Sequence, residues 1–241
     1  MIAAAAKALA QILTPPFRRV LLKSVGLALL LLVLLGFGLH RFLSWLTQTG
    51  ETYLEGAIGP ASHGPLSILF WILSIAAGLG IVLGAIFLMP AVTAFVGSFF
   101  VDEIAEHVER EYYPGEAPGQ ALPVGRAVWE GSKTALLAVA IYLCALPLLL
   151  FAGFGVFVMF FATSYLLGRE YFELAAMRFR PVQEAKAFRR MHRASVFVAG
   201  MVIAGFVSIP IVNLATPLFA MAFMVHLHKQ LSRERLSASR W

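Results

Sequence analysis

Residues 194–228 read ASVFVAGMVIAGFVSIPIVNLATPLFAMAFMVHLH, 35 positions without an Asp, Glu, Lys or Arg, bounded by Arg193 and Lys229. As one straight helix the run would be about 52 Å long, far more than a ~30 Å hydrocarbon core needs. Its middle carries Pro210, Asn213 and Pro217, residue types that interrupt helices. Broken there, it leaves two limbs of about 13 to 16 residues, roughly 20 to 24 Å each and short of a full crossing. Both flanks are basic. The pattern predicts a helical hairpin that enters a membrane and turns back.

Charges are nearly excluded from a bilayer core, so uncharged runs outline membrane segments. Three more lie between Lys23 and Arg41, between Glu55 and Asp102, and between Lys133 and Arg169. Residues 20–46, about 40 Å as a helix, can span. Residues 65–101, about 55 Å, can cross and project beyond the bilayer, with a bend at Pro90. The projecting end carries Asp102, Glu103, Glu106, Glu109 and Glu111. Residues 134–168 repeat the 35-residue pattern, broken centrally by Pro147, Gly153 and Gly155, and read as a second half-inserted hairpin. Two pairs of short full spans, six crossings in all, are the alternative, at a fraction of a kcal/mol per Å of bilayer thinning.

The rest of the composition agrees with a membrane chain. Of 241 residues 60% are apolar and 13% charged, and mean hydropathy is +0.82, which excludes an ordinary soluble enzyme. The formal charge of +6 suits phosphate headgroups or an anionic solute sooner than nucleic acid. Four basic residues and no acid precede residue 24, whereas 47–64 holds Glu51 and Glu55 and no base. By the positive-inside rule the N-terminus is cytoplasmic and that connection is outside. The seven basic residues of 169–193 and the four of the tail 229–241 place both of these inside. The whole chain reads as one membrane domain, all-α, with both termini cytoplasmic.

Catalytic signatures are missing: there is no GxSxG, GxxxxGK[ST] or HExxH, and nothing calls for a cofactor. An enzyme is not indicated. The GLGIVLG of residues 78–84 fits helix packing better than phosphate binding. His226 and His228 sit two apart, on different helix faces, which favours an interfacial location over a metal site. Glu103, Glu106 and His107 share a face, and a solvated surface outweighs a cation site there. Cys144, the lone cysteine, reads as a small buried hydrophobe. Residues 1–13 are Ala-rich and read as a short interfacial helix.

Thr14-Pro15-Pro16-Phe17-Arg18-Arg19 has an N-cap residue, a first-turn proline and two arginines in the opening turn. Helix-start N–H groups, the dipole and guanidinium forks can together hold a tetrahedral oxyanion. Taken alone, this feature is better accounted for by positive-inside arginines beside anionic headgroups.

The chain resembles the CysZ family of bacterial sulfate permeases, within the wider etoposide-induced-protein-like domain family. A Pro-Gly-apolar-Arg-Arg segment of that family is similar to Pro15-Pro16-Phe17-Arg18-Arg19, with Pro16 in place of glycine. The family's acidic helix ending resembles residues 104–109, with Glu106 and Glu109 at the acidic positions. Tyr171-Phe172-Glu173 is similar to its Tyr-x-acid motif, followed by Glu-Leu-Ala where Asp-Tyr-Pro is common. Pro210, Asn213 and Pro217 match its P-x-x-N-x-x-x-P spacing. The resemblance implies two long transmembrane helices with two hemi-penetrating hairpins, in an oligomeric bacterial inner-membrane protein. It implies inward passage of sulfate for sulfur assimilation and cysteine biosynthesis, without ATP. Its sulfate-contacting residues fall on Pro16, Phe17, Arg18 and Arg19. Proline at 16 removes one N–H and the freedom of glycine to present backbone to an anion.

The expected mechanism is passive or ion-coupled conduction through the hairpins, with Arg18 and Arg19 gathering the anion, be it sulfate, sulfite or thiosulfate. Glu106, Glu109 and Glu130 serve gating or, more simply, ion pairing with Arg126 and Lys133. A membrane scaffold that binds lipids or partners is the rival from another class.

Overall fold

The computed structural model describes residues 1–12, 14–58, 99–145, 147–148, 154–209 and 212–238, with isolated positions between 72 and 96. Regular structure among the described residues is helical, without a strand. The chain divides into two compact units, 23–96 and the combination of 1–22 with 97–241.

α1 (Ile2–Ile12) is followed by α2 (Pro15–Ile58), whose first turn belongs to the larger unit. With 44 residues, roughly 66 Å, α2 is much longer than the 20–46 span that charge spacing outlines. In the polar segment after residue 43 the hydroxyls are satisfied by carbonyls one turn back and do not compete for the helix's N–H groups. Ser44 donates to the His40 carbonyl at 2.9 Å, Thr49 to Trp45 at 2.8 Å and Thr52 to Gln48 at 2.9 Å. Within the smaller unit Ser24, Ala28 and Leu32 form a buried stripe, while Leu29, Leu30, Val33, Leu34 and Leu35 are exposed. Most of the expected 65–101 helix, Pro90 included, lies outside the described residues; those that are described at 72–96 are helical.

In the larger unit a turn at Phe99 and Phe100 precedes α3 (Val101–Tyr112). The acidic segment is therefore a separate helix rather than the projecting end of a span. Asp102 and Glu103 in its first turn complement the dipole, and Val101, Ile104, Ala105 and Val108 make its buried stripe. Next come α4 (Val124–Ala145) and α5 (Phe154–Met177), separated by the Pro147 turn, then α6 (Val182–Met191) and α7 (Arg193–Val207). A 3₁₀ turn (Val212–Ala215) leads into α8 (Thr216–Ala238). Both predicted break points are breaks, although Pro210, Gly153 and the residues next to them lie outside the description.

The limbs of the first hairpin extend past both ends of its uncharged run. α4 begins at Val124, ten residues before the run, and has 22 residues, so it is long and apolar enough to cross a membrane, as is Pro15–Gly50 of α2. α7 has only 15 residues, about 22 Å, and meets α6 at 89°. α8 is the post around which α1, α3, α5 and α7 stand. Every position from Ala215 to Lys229 is buried, as befits a helix apolar on all sides. Phe206, Phe219 and Phe223 stack along it with centroids 4.4 and 5.6 Å apart.

α5 and α7 share the most extensive helix contact, and two glycines permit it. A Cβ on Gly200 would lie 2.0 Å from the Ser164 carbonyl oxygen and 3.0 Å from the Gly168 Cα. One on Gly168 would lie 2.6 Å from the Val196 oxygen. This small-residue crossing is a membrane-type packing device. Gly78 and Gly80 have nothing within 4 Å of their Cβ positions, and the rest of their GLGIVLG segment, residues 81–84, lies outside the described residues.

Candidate functional site

The start of α2 is shaped by the turn that joins it to α1. Ala4, Ala8 and Gln11 form the buried stripe of α1, which packs on α8. Gln11 reaches the ring of His226, its Oε1 3.2 Å from Nε2, and His226 Nδ1 lies 2.8 Å from the Tyr113 hydroxyl. This chain of polar contacts ties α1, the end of α3 and α8 together inside an apolar core, and leaves the buried Gln11 Nε2 without a partner among the described residues. His226 and His228 are both 2% exposed, enclosed by the surrounding helices. The His228 ring stacks on Phe179 at 5.1 Å and meets Phe172 and Phe188 edge-on.

At the turn, the Thr14 N–H and hydroxyl both donate to the Gln11 carbonyl, at 2.9 and 2.6 Å. The hydroxyl thus closes the end of α1 and does not cap α2. The Thr14 carbonyl accepts the Arg18 N–H at 3.0 Å, which makes Pro15, Pro16 and Phe17 the first helical positions. Two of these have no N–H, so Phe17 supplies the only backbone donor of the three. Its ring is 1% exposed and sits with Val20, Ala4 and Ala8 in the core of the larger unit. Arg18 and Arg19 are exposed, and neither has an acidic partner among the described residues. An anion at this helix start would be held chiefly by the two guanidinium forks.

Several other charges are paired within the protein. Arg178 donates from Nε to Glu109 Oε1 at 2.8 Å and pairs with Asp102, and Glu109 Oε2 accepts the Gly119 N–H at 2.8 Å. Glu106 pairs with Arg110 on the exposed face, and the His107 Nδ1 is 3.3 Å from the Glu103 carbonyl. Glu130 meets Lys133 at 3.0 Å and pairs also with Lys186. Glu173, the acid of the Tyr171-Phe172-Glu173 motif, binds Arg189 at 2.7 Å and Arg169 at 3.3 Å. Glu116 joins the outer end of α8 through Lys229 and Arg233, both at 2.7 Å. Burial pushes the Glu116 carboxyl up, but hydrogen bonds from these two cations outweigh it and hold the group below the usual carboxylate range. No group of His, Cys, Asp and Glu among the described residues could hold a metal.

The hairpin motif forms the turn between α7 and α8. The Asn213 N–H donates to the Ile209 carbonyl at 2.8 Å, and its side-chain oxygen accepts the Thr216 hydroxyl at 3.0 Å. Pro217 is buried in the first turn of α8.

A family model described as "Sulfate transporter CysZ/Etoposide-induced protein 2.4" matches residues 4–217. The chain belongs to this family. No curated protein matches it. The CysZ match begins in α1, takes in the helix start of α2 and the acidic α3, and ends at Pro217, so it contains Phe17 to Arg19, Glu106, Glu109 and Asn213. The contacts of His226 with Gln11 and Tyr113, which fix the turn before Arg18, are not evident in the sequence, where His226 stands out only for its spacing from His228. Their one visible signal is a buried-length apolar helix that carries a histidine.

Proposed function

We propose that this CysZ-family chain conducts sulfate, or a like tetrahedral oxyanion, inward across the bacterial inner membrane for sulfur assimilation and cysteine biosynthesis. The observation that carries the reading is the pair Arg18 and Arg19, exposed and without an acidic partner among the described residues, at the start of a helix apolar enough to cross a membrane. The diproline leaves the anion to these side chains and to the Phe17 N–H. The half-inserted hairpins line the path, a role the short α7 supports, because irregular backbone at membrane depth must face protein or water. A homo-oligomer, in contact with membrane lipids, completes that path. Inward movement of a dianion against an inside-negative potential costs about 4.6 kcal/mol per 100 mV, so removal of sulfate inside or coupling to another ion must drive it.

The test is radiolabelled sulfate uptake into liposomes that contain only this protein. Wild type gives saturable uptake, and the Arg18→Ala, Arg19→Ala double variant, folded and inserted, loses at least nine-tenths of it. Absence of flux in well-inserted wild type, beside a working control channel, overturns the transporter reading in favour of a membrane scaffold.

A further inference from the structure

Apart from the helix start of α2, the larger unit has a second feature that no role above absorbs. A cleft of about 410 Å³ opens between residues 117–123 and the junction of α5 with α6. Three of its lining residues are charged and all are arginines, namely Arg126, Arg178 and Arg180. Arg178 is committed to Glu109 and Asp102. Arg180 lies over the Phe188 ring at 4.3 Å and donates to Ser232 at 3.2 Å. Arg126 is exposed and has no side-chain partner among the described residues.

The cleft sits where α4 begins, and α4 is long and apolar enough to cross a membrane. None of its membrane-length window is buried, and Val128, Leu136, Val139 and Leu143 are 54–73% exposed. Trp129, 63% exposed, stands one turn beyond Arg126, and indoles collect at the level of lipid headgroups. An unpaired guanidinium on a cleft, one turn from an interfacial tryptophan and at the head of a bare apolar helix, matches an amphiphile with an anionic head and alkyl tails. We propose that this cleft binds the phosphate of an anionic phospholipid, with Arg126 as its principal ligand and the acyl chains laid along α4. Arg180 at the rim adds charge, and Arg178 keeps the wall in place through Glu109.

The test is native mass spectrometry of the full chain in neutral detergent with phosphatidylglycerol or phosphatidylcholine of equal chain length. Phosphatidylglycerol binds wild type in preference to phosphatidylcholine, and Arg126→Gln lowers its occupancy at least fivefold while leaving phosphatidylcholine unchanged. Arg193→Gln, which removes an exposed arginine outside the cleft, leaves both unchanged. Equal losses in Arg126→Gln and Arg193→Gln overturn the proposal, since general surface charge then suffices. Protection of wild type by inorganic phosphate or sulfate alone, without preference between the two lipids, also overturns it, since a free oxyanion is then the occupant.

Discussion

α4 and α8 are nearly equal in length, with 22 and 23 residues, and each contributes one limb to a hairpin. Their surroundings are opposite. α4 buries almost nothing, while α8 is enclosed along its first fourteen positions and carries the aromatic stack. The difference shows that one half of the larger unit is held by close packing around a post and the other presents its side chains outward. In a membrane, where lipid is as apolar as a leucine core, a helix such as α8 gains its hold from shape and from a few polar ties.

The largest effect expected to test this contrast comes from glycine. Gly200→Leu drives a side chain into the Ser164 carbonyl and should abolish monodisperse protein on gel filtration. Gly131→Leu in α4, where nothing lies within 4 Å, should elute as wild type. Equal behaviour of the two variants would break the comparison. A second measurement asks how deep each turn lies. On a Cys144→Ala background, needed because Cys144 is exposed, cysteines at Leu148 and Asn213 should each react with an external membrane-impermeant thiol reagent at under about a tenth of the rate of an exposed control. Fast labelling at Leu148 alone would make the first hairpin a full crossing and leave only the second half-inserted.

The smallest effect is electrostatic and concerns the outer end of α8. Because Glu116 titrates below its ordinary value of 4.5 in the folded chain, its ties to Lys229 and Arg233 stabilise fully above that value. They are lost as pH falls through the lower, folded value. The difference in Tm between wild type and Glu116→Gln should therefore be small and constant from pH 7 to 5 and should close below about pH 4.5. A difference that persists in acid would mean that the glutamine acts through packing.

The hairpin breaks were legible because proline and missing charge act locally, within a few residues of Pro147 and Pro217. What separates α4 from α8 is not local. Both carry an uncharged apolar stretch, 134–145 in α4 and 216–228 in α8, and only tertiary placement decides which of them is enclosed. The close contact of Gly168 with Gly200 was hidden for the same reason, since two isolated glycines 32 positions apart show no spacing motif, whereas GLGIVLG draws the eye. The turn at Phe99 and Phe100 has its signal just before it, in Gly97-Ser98, which a reading based on missing charge passes over. At the candidate site, the arginines and prolines of α2 could be read directly. The tie that orients them joins Gln11 to His226 across 215 positions, and no pattern in the chain links those two.

The central position of α8 also bears on how the protein is made. Translation delivers every helix that α8 packs against before α8 itself. Until it leaves the ribosome, the alanine stripe of α1, the Ile104 and Val108 face of α3 and the Phe172 side of α5 have no common partner. The membrane insertion machinery must therefore release four helices whose shared seat is still vacant, and the last to arrive is the one that locks them.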